Sequence, residues 1–328
     1  MAAQGDPHGG KLKPAPTFLP DPRSCPLFLV FNPASGAEDA ESIRTRIETI
    51  LSEAGREFQI ASVDDAGDLA ARARESVAAA VAAGGAVIAV GGDGTLNTVA
   101  QAALGQPCAF GVIPQGTFNY FSRTHGLPLD VEDATRALLD PRIEPAQVGL
   151  VNDRVFLVNA SLGLYPQLLE DRETWKAQLG RYRLVALWSG LLTLLREHRQ
   201  LRLRLEDGKR QSEVRTPTLF VGNNALQLER IGIPEAEGLK AGHLAAIMLR
   251  PISHAGMVWL LLRGALGQLG DAKNVSSFNV RYLAVKPAQS RGRRAMKVAI
   301  DGEVLMMETP LDRKSVVEGK CVDIGGRR

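Results

Sequence analysis

Seven residues, Gly91-Gly92-Asp93-Gly94-Thr95-Leu96-Asn97, follow directly on the apolar segment Ala86-Val87-Ile88-Ala89-Val90. Residues 87–90 read as a short buried strand, and residues 95–104 as a helix with Leu96, Val99, Ala100 and Ala103 on one face. Glycines between strand and helix let the chain turn sharply and let a ligand approach the main chain, while the helix start presents unpaired N–H groups to an anion. Phosphate binding is the chemistry this arrangement suits, with the Thr95 hydroxyl as an added donor. The run is neither a Walker A loop, which needs Gly-Lys-Ser/Thr, nor a Gly-x-Gly-x-x-Gly turn. Asp93 sets a further condition: a carboxylate beside phosphates is repulsive unless a cation or a hydrogen-bonded hydroxyl lies between them. It can reach a phosphate through Mg²⁺ or act on an acceptor hydroxyl. Asp-Gly is also a hairpin signal, but the helical period that follows and the two preceding glycines argue for strand, turn and helix.

A second acidic group, Asp301-Gly302-Glu303, ends the strand-like residues 295–300. Between that strand and residues 304–307 it reads as a hairpin turn. Alone, this turn carries no chemical assignment.

The elements that must position these residues fall into two regions. Over residues 27–146, strands at 28–31, 58–63, 87–90 and 110–113 alternate with helices at 40–54, 68–83, 95–104, 118–125 and 131–139, the last with Asp130 as N-cap. This predicts a parallel sheet covered on both faces, with its motif loops at the C-terminal strand ends. Beyond about residue 147 the chain turns strand-rich, at 154–160, 201–205, 218–221, 243–249, 275–285 and 295–300. Leu201-Arg202-Leu203-Arg204-Leu205 alternates as half-exposed antiparallel strands do. The predicted class is α/β: an N-terminal parallel α/β domain, then a β-sandwich with inserted helices. Boundaries fall at residues 1–24 (a disordered leader), 25–147, 148–311 and an atypical, foreign-looking tail at 312–328. The inserted helices, at 184–195 and 257–269, are apolar but shorter than the ~18–20 residues of a membrane span.

Composition narrows the function classes. With 328 residues there is room for two cores, and 45% hydrophobic with 23% charged residues is ordinary for a globular protein. A net charge of +3 makes no case for nucleic acid. Cys25, Cys108 and Cys321 match no metal or redox spacing and suit a reducing, cytoplasmic setting.

Two further glycine turns join the first. Asn32-Pro33-Ala34-Ser35-Gly36 closes strand 28–31, and Pro114-Gln115-Gly116-Thr117-Phe118-Asn119 closes strand 110–113. The three motifs, in this order and each at a strand end, resemble the diacylglycerol kinase catalytic-domain family, which includes bacterial soluble lipid kinases and sphingosine kinases; the resemblance spans about residues 27–310. It implies a nucleotide domain like that of NAD kinases and an active site between that domain and the sandwich. It also implies that Asn32 to Gly36 form a first nucleotide loop, that Gly91 to Asn97 cradle phosphates, and that Thr117 and Asn119 close the site. Asp301 would then be the general base, with Glu303 next in line. Three departures stand out. Tyr120 follows Asn119 where the family commonly has aspartate. Leu239-Lys240-Ala241-Gly242 replaces an Asp-Asp-Gly that holds a structural Mg²⁺ in related enzymes. The tail at 312–328 lacks the alternating strands with which the family ends.

The expected activity is ATP- and Mg²⁺-dependent transfer of a phosphoryl group to a lipid hydroxyl, diacylglycerol first among acceptors. An NAD kinase-like enzyme and a nucleotide- or lipid-binding protein with little turnover are the alternatives. The expected partner is a lipid acceptor at a membrane surface, met by a cytoplasmic protein that is peripheral to the membrane and has no transmembrane segment. Arg172, Lys176, Arg181 and Arg183, just before helix 184–195, would suit an anionic surface. A homodimer is left open.

Overall fold

A computed structural model describes residues 21–323, apart from 37, 165, 167–199, 207–210, 234, 289–294 and most of 252–273. The chain divides into two compact units. One comprises the chain up to Gln115 with Pro128–Ala146 and the segment from Glu318, the other Gly116–Leu127 with Gln147–Val317.

The first unit is built from β1 (Leu27–Phe31), α1 (Ala40–Glu53), β2 (Phe58–Ser62), α2 (Leu69–Ala83), β3 (Ala86–Gly91), α3 (Asp93–Ala103) and β4 (Ala109–Pro114). After α4 (Tyr120–Thr124), which lies in the other unit, α5 (Val131–Ala137) returns to this one. The strands β2-β1-β3-β4 pair in parallel. β3 and β4 are buried along their whole length, as expected of strands covered on both faces. Ile43, Ile47, Ile50 and Leu51 give α1 one apolar face, and Asp39 caps it by accepting from Ser42 N. Asp130 caps α5, accepting from the amides of Glu132 and Asp133. The chain moves from β1 outward to β2 and then back across to β3, so strand order reverses between β1 and β3. Ligands of open α/β sheets collect at such a point. Register sharpens this: Phe31 pairs with Val90 and Val90 with Ile113, so the three glycine motifs leave the sheet in one row.

The second unit contains β6 (Arg154–Phe156), β7 (Asn159–Gly163), β8 (Leu201–Glu206), β9 (Gln211–Thr216), β10 (Thr218–Gly222), α6 (Ala225–Arg230) and α7 (Ala236–Leu239). It continues with β11 (Leu244–Leu249), β12 (Val275–Val280), β13 (Tyr282–Pro287), β14 (Ala295–Ile300) and β15 (Glu303–Glu308). β5 (Arg142–Val151) and β16 (Leu311–Asp323) each have residues in both units. One antiparallel sheet runs β12-β11-β10-β7-β14-β15; another pairs β16-β13-β8-β9. Leu162, Val221 and Val298 of the first share a buried cluster with Leu203, Leu205 and Val285 of the second, the two-sheet core of a sandwich. A smaller cluster seats α6 and α7 on the opposite face of the six-stranded sheet, through Leu228, Ile233, Ala236, Ala245 and Ile247.

Several predicted elements are corrected. Residues 154–160 hold two strands, because β6 pairs with β5 while β7 enters the six-stranded sheet. Residues 275–285 likewise divide, β12 pairing with β11 and β13 with β8. A strand that changes sheets must bend where it leaves. The tail is not weakly structured: β16 pairs with β13 from Val285↔Leu311 to Tyr282↔Lys314 and with β4 at Phe110↔Cys321. Helix 184–195 lies outside the described residues. Within 257–269, Trp259 and Arg263 are helical and Trp259 is exposed.

Candidate active site

In the first unit, α3 begins at Asp93 with Gly92 as its N-cap, two residues earlier than the periodicity suggests. The amides of Asp93, Gly94 and Thr95 therefore sit in the first turn, where no helical carbonyl is available to them. Gly91 is required sterically, since a Cβ there would lie 2.6 Å from Thr95 Oγ1. Thr95 is buried, and its hydroxyl accepts a hydrogen bond from Asn32 Nδ2 at 2.9 Å, joining the first motif to the second. Asn32 Oδ1 in turn accepts from Ala34 N at 3.1 Å, and Ser35 Oγ donates to Asn32 O at 2.7 Å. These bonds shape the turn through Pro33 to Gly36. Gly36 adopts φ +110, a conformation that favours glycine, with Gln115 O 3.1 Å from the place of a Cβ. Gln115 completes the row: its amide donates to Gly91 O at 2.9 Å and its side-chain Oε1 stands 3.5 Å from Ser35 Oγ. Gln115 stands inside the third motif, yet nothing in sequence marks it as the link among all three turns.

Asp93 lies half-buried in the first turn of α3. A carboxylate is a hard oxygen donor of the kind Mg²⁺ takes, one or two per ion alongside substrate phosphates. It therefore fits a nucleotide-borne Mg²⁺ better than an all-protein cage. Among the described residues no group of three or more His, Cys, Asp or Glu is placed to hold a metal. Leu96 turns inward, fully buried, and its N–H donates to Gly92 O; it anchors the motif rather than facing outward. Asn97 is half-buried on α3.

The second unit carries the remaining candidates. Thr117 is exposed. Asn119 is buried at the N-cap of α4 with φ 47, a left-handed conformation that asparagine tolerates, and its carbonyl accepts from Arg123 N. Phe118, 55% exposed, stacks on Tyr120 with centroids 5.5 Å apart.

Asp301 and Gly302 form the two-residue turn of the β14–β15 hairpin, with Ile300 opposite Glu303 and φ values of 46 and 95. The hairpin reading and the carboxylate's engagement therefore hold together. Asp301 Oδ2 accepts from Leu157 N at 2.7 Å, and Oδ1 from Val158 N at 2.9 Å and Asn159 N at 2.8 Å. These three amides belong to the bend where the chain passes from β6 to β7. Asp301 thus accepts at both carboxylate oxygens and clamps that bend, a second duty hidden from the sequence. Glu303 is exposed at the start of β15. In place of an Asp-Asp-Gly stretch, Ala241 O accepts from Arg281 Nη2 at 3.5 Å. Nearby, Gln147 Nε2 donates to Asn223 Oδ1 at 2.7 Å and to His243 O at 2.9 Å.

Known proteins resemble this chain in sequence and in fold. Residues 26–151 match the family described as diacylglycerol kinase catalytic domain. The chain is 26% identical to a diacylglycerol kinase of Bacillus subtilis, the match covering 84% of this chain and 88% of that protein. It is 33% identical to a probable lipid kinase YegS-like protein of Cronobacter sakazakii over 48% of this chain and 53% of that one. In fold it is similar to the crystal structure of a putative diacylglycerol kinase from Bacillus anthracis, with a TM-score of 0.68, 20% identity and coverage of 92% and 97%. Residues 26–151 are thus similar to a diacylglycerol kinase catalytic domain, and the three glycine turns described above lie inside the matched stretch.

Proposed function

We propose that this protein is an ATP-dependent lipid kinase that transfers the γ-phosphoryl group of ATP to the hydroxyl of diacylglycerol or a closely related lipid. The observation that carries the proposal is the row of three glycine turns at one sheet edge, tied together by Asn32, Thr95, Ser35 and Gln115 within the matched catalytic domain. Relatives named diacylglycerol kinase and lipid kinase support the choice of acceptor.

Phosphoryl transfer asks a protein mainly to align two oxygens and neutralise charge. The first-turn amides of α3 and the three glycine turns bind the phosphates. Asp93 is the residue that would hold Mg²⁺ against them, and that ion would supply charge neutralisation. Thr117 and Asn119 complete the donor site. Asp301 is assigned as general base: as the lipid hydroxyl oxygen bonds to the γ-phosphorus and the bond to the bridging oxygen breaks, the hydroxyl proton passes to the carboxylate. Glu303, one residue past the turn, is the alternative base. The acceptor is met at a membrane surface by a cytoplasmic, peripherally bound protein, either alone or as a homodimer.

The test is ADP release with Mg²⁺·ATP, measured across dispersed diacylglycerol, a sphingoid base and NAD. Turnover with the dispersed lipid is expected. Equal or greater turnover with soluble NAD would overturn the acceptor assignment, and ATP binding without turnover on any acceptor would make the protein a binding module.

A further inference from the structure

Successive side chains of a strand point to opposite faces. On β7, Ala160 and Leu162 enter the sandwich core, which leaves Asn159 and Ser161 on the other face of the six-stranded sheet. Both are buried, Asn159 at 4% and Ser161 at 0% exposure. Asn159 Nδ2 donates to Gln227 Oε1 at 3.2 Å, so its unspent atom is the acceptor Oδ1. Neither Asn159 Oδ1 nor Ser161 Oγ has a hydrogen-bond partner among the described residues. Buried polar atoms without partners cost free energy that a bound polar group restores.

The surroundings indicate what kind of group that is. Register places Val304, Ala299, Ser161 and Phe220 in one row across the face. Met306, 63% exposed, lies one step further along the same face. The cluster beneath α6 and α7 takes in Phe220 and Ile247 but not Ala299, Val304 or Met306. Asn159 adjoins the candidate base directly: its N–H donates to Asp301 Oδ1 at 2.8 Å, and Asp301 N donates to its carbonyl at 3.0 Å. An unspent acceptor next to the base is therefore followed, about 6.6 Å along the strand, by an unspent hydroxyl inside an apolar row.

Resting on the lipid kinase reading above, we propose that Asn159 and Ser161 recognise the polar end of an ester-bearing lipid. As the lipid docks, Asn159 Oδ1 accepts from the acceptor hydroxyl, whose single proton turns to Asp301 only as the oxygen attacks. Ser161 Oγ donates to an ester carbonyl. The chain beyond the ester leaves over half-buried Val304 and exposed Met306, Ala299 itself being fully buried. Ser161 is then the residue that separates diacyl from ether-linked acceptors.

The experiment compares 1,2-diacylglycerol with 1,2-dialkylglycerol in mixed micelles, at saturating ATP, for the wild type and Ser161→Ala. The wild type should favour the ester lipid by about tenfold in kcat/KM, the worth of one hydrogen bond. Ser161→Ala should lose that preference through the ester lipid alone, with Tm no lower and KM for ATP unchanged. Asn159→Ala should lower kcat/KM for both lipids alike, again at constant KM for ATP. A Ser161→Ala enzyme that keeps the preference, or loses activity equally on both lipids, would overturn the proposal, as expected if an ordered water alone satisfies these atoms. A wild type active on both lipids without preference would overturn it while leaving the kinase reading standing. A wild type inactive on both would remove that reading and this inference together.

Discussion

The two units present their chemistry through different parts of the chain. In the first, the groups offered to a phosphate are chiefly main-chain amides at the start of α3, and side chains such as Asn32, Thr95 and Gln115 fix the turns that expose them. In the second, the proposed groups are side chains, Asp301 and Glu303 with Asn159 and Ser161 beside them, and strand register decides where each one faces. A backbone-built site needs only a local run of permissive residues. A side-chain site needs distant strands to pair correctly, so a change there disturbs fold and chemistry together.

Truncation should give the largest effect. Deleting residues 312–328 removes the strand partner of β13 and of β4, together with Asp312, whose N–H and carboxylate bond to Asn152 and Tyr282. Tm should fall by on the order of 10 °C or more, at ~2–4 °C per kcal/mol for chains of ~150–250 residues. A thermal scan showing an unchanged Tm would mean that the strand contributes nothing and that each unit stands without it.

Asp301→Asn comes next, and it tests whether chemistry and fold are joined at one residue. Turnover should drop by ~10²–10⁴-fold for loss of a base. Stability should also drop, by ~1–3 kcal/mol, because an amide NH₂ cannot accept from the N–H groups of residues 157–159. Glu303→Gln should keep both Tm and most of the activity. Should Asp301→Asn lose stability alone while Glu303→Gln is inactive, the base is Glu303 and Asp301 is purely a clamp.

Thr95→Val makes the matching change in the first unit. It deprives Asn32 Nδ2 of its acceptor at about 1–3 kcal/mol. KM for ATP should rise by roughly tenfold while the ester-over-ether preference stays as in the wild type. A shift in lipid preference without any change for ATP would dissolve the division between the donor and acceptor sides.

The smallest effect concerns Cys108, whose thiol is pushed by burial from 9.0 up to about 11. At pH 8 it should resist iodoacetamide in the folded protein and react once unfolded, as peptide mass spectrometry would register. Because the folded value is raised, its contribution to stability is complete below about pH 9 and is lost as pH rises toward 11. Rapid labelling at pH 8 would show that the first unit opens around β4.

Much of the first unit is legible in its residue pattern. Strand–helix alternation, the Asp130 cap and the three glycine turns are written in contiguous residues, since a turn or a cap depends on neighbours two or three positions away. The second unit is legible mainly as strand content. That residues 154–160 and 275–285 each hold two strands follows from a change of sheet, and the amphipathic pattern on either side of the bend does not report it.

By itself, then, the sequence determined the class of the first unit and the order of its glycine motifs at the strand ends, because those rest on local periodicity, on glycine's permissiveness and on helix ends. Only the tertiary structure decided that Gln115 links the three turns, that β16 is a paired strand, and that Asp301 is held by the amides of Leu157, Val158 and Asn159. Gln115 meets Ser35 across 80 positions of chain, and Asp301 meets Leu157 across 144. Contacts at such separations depend on strand order and on register across a sheet, which no local pattern of residues encodes.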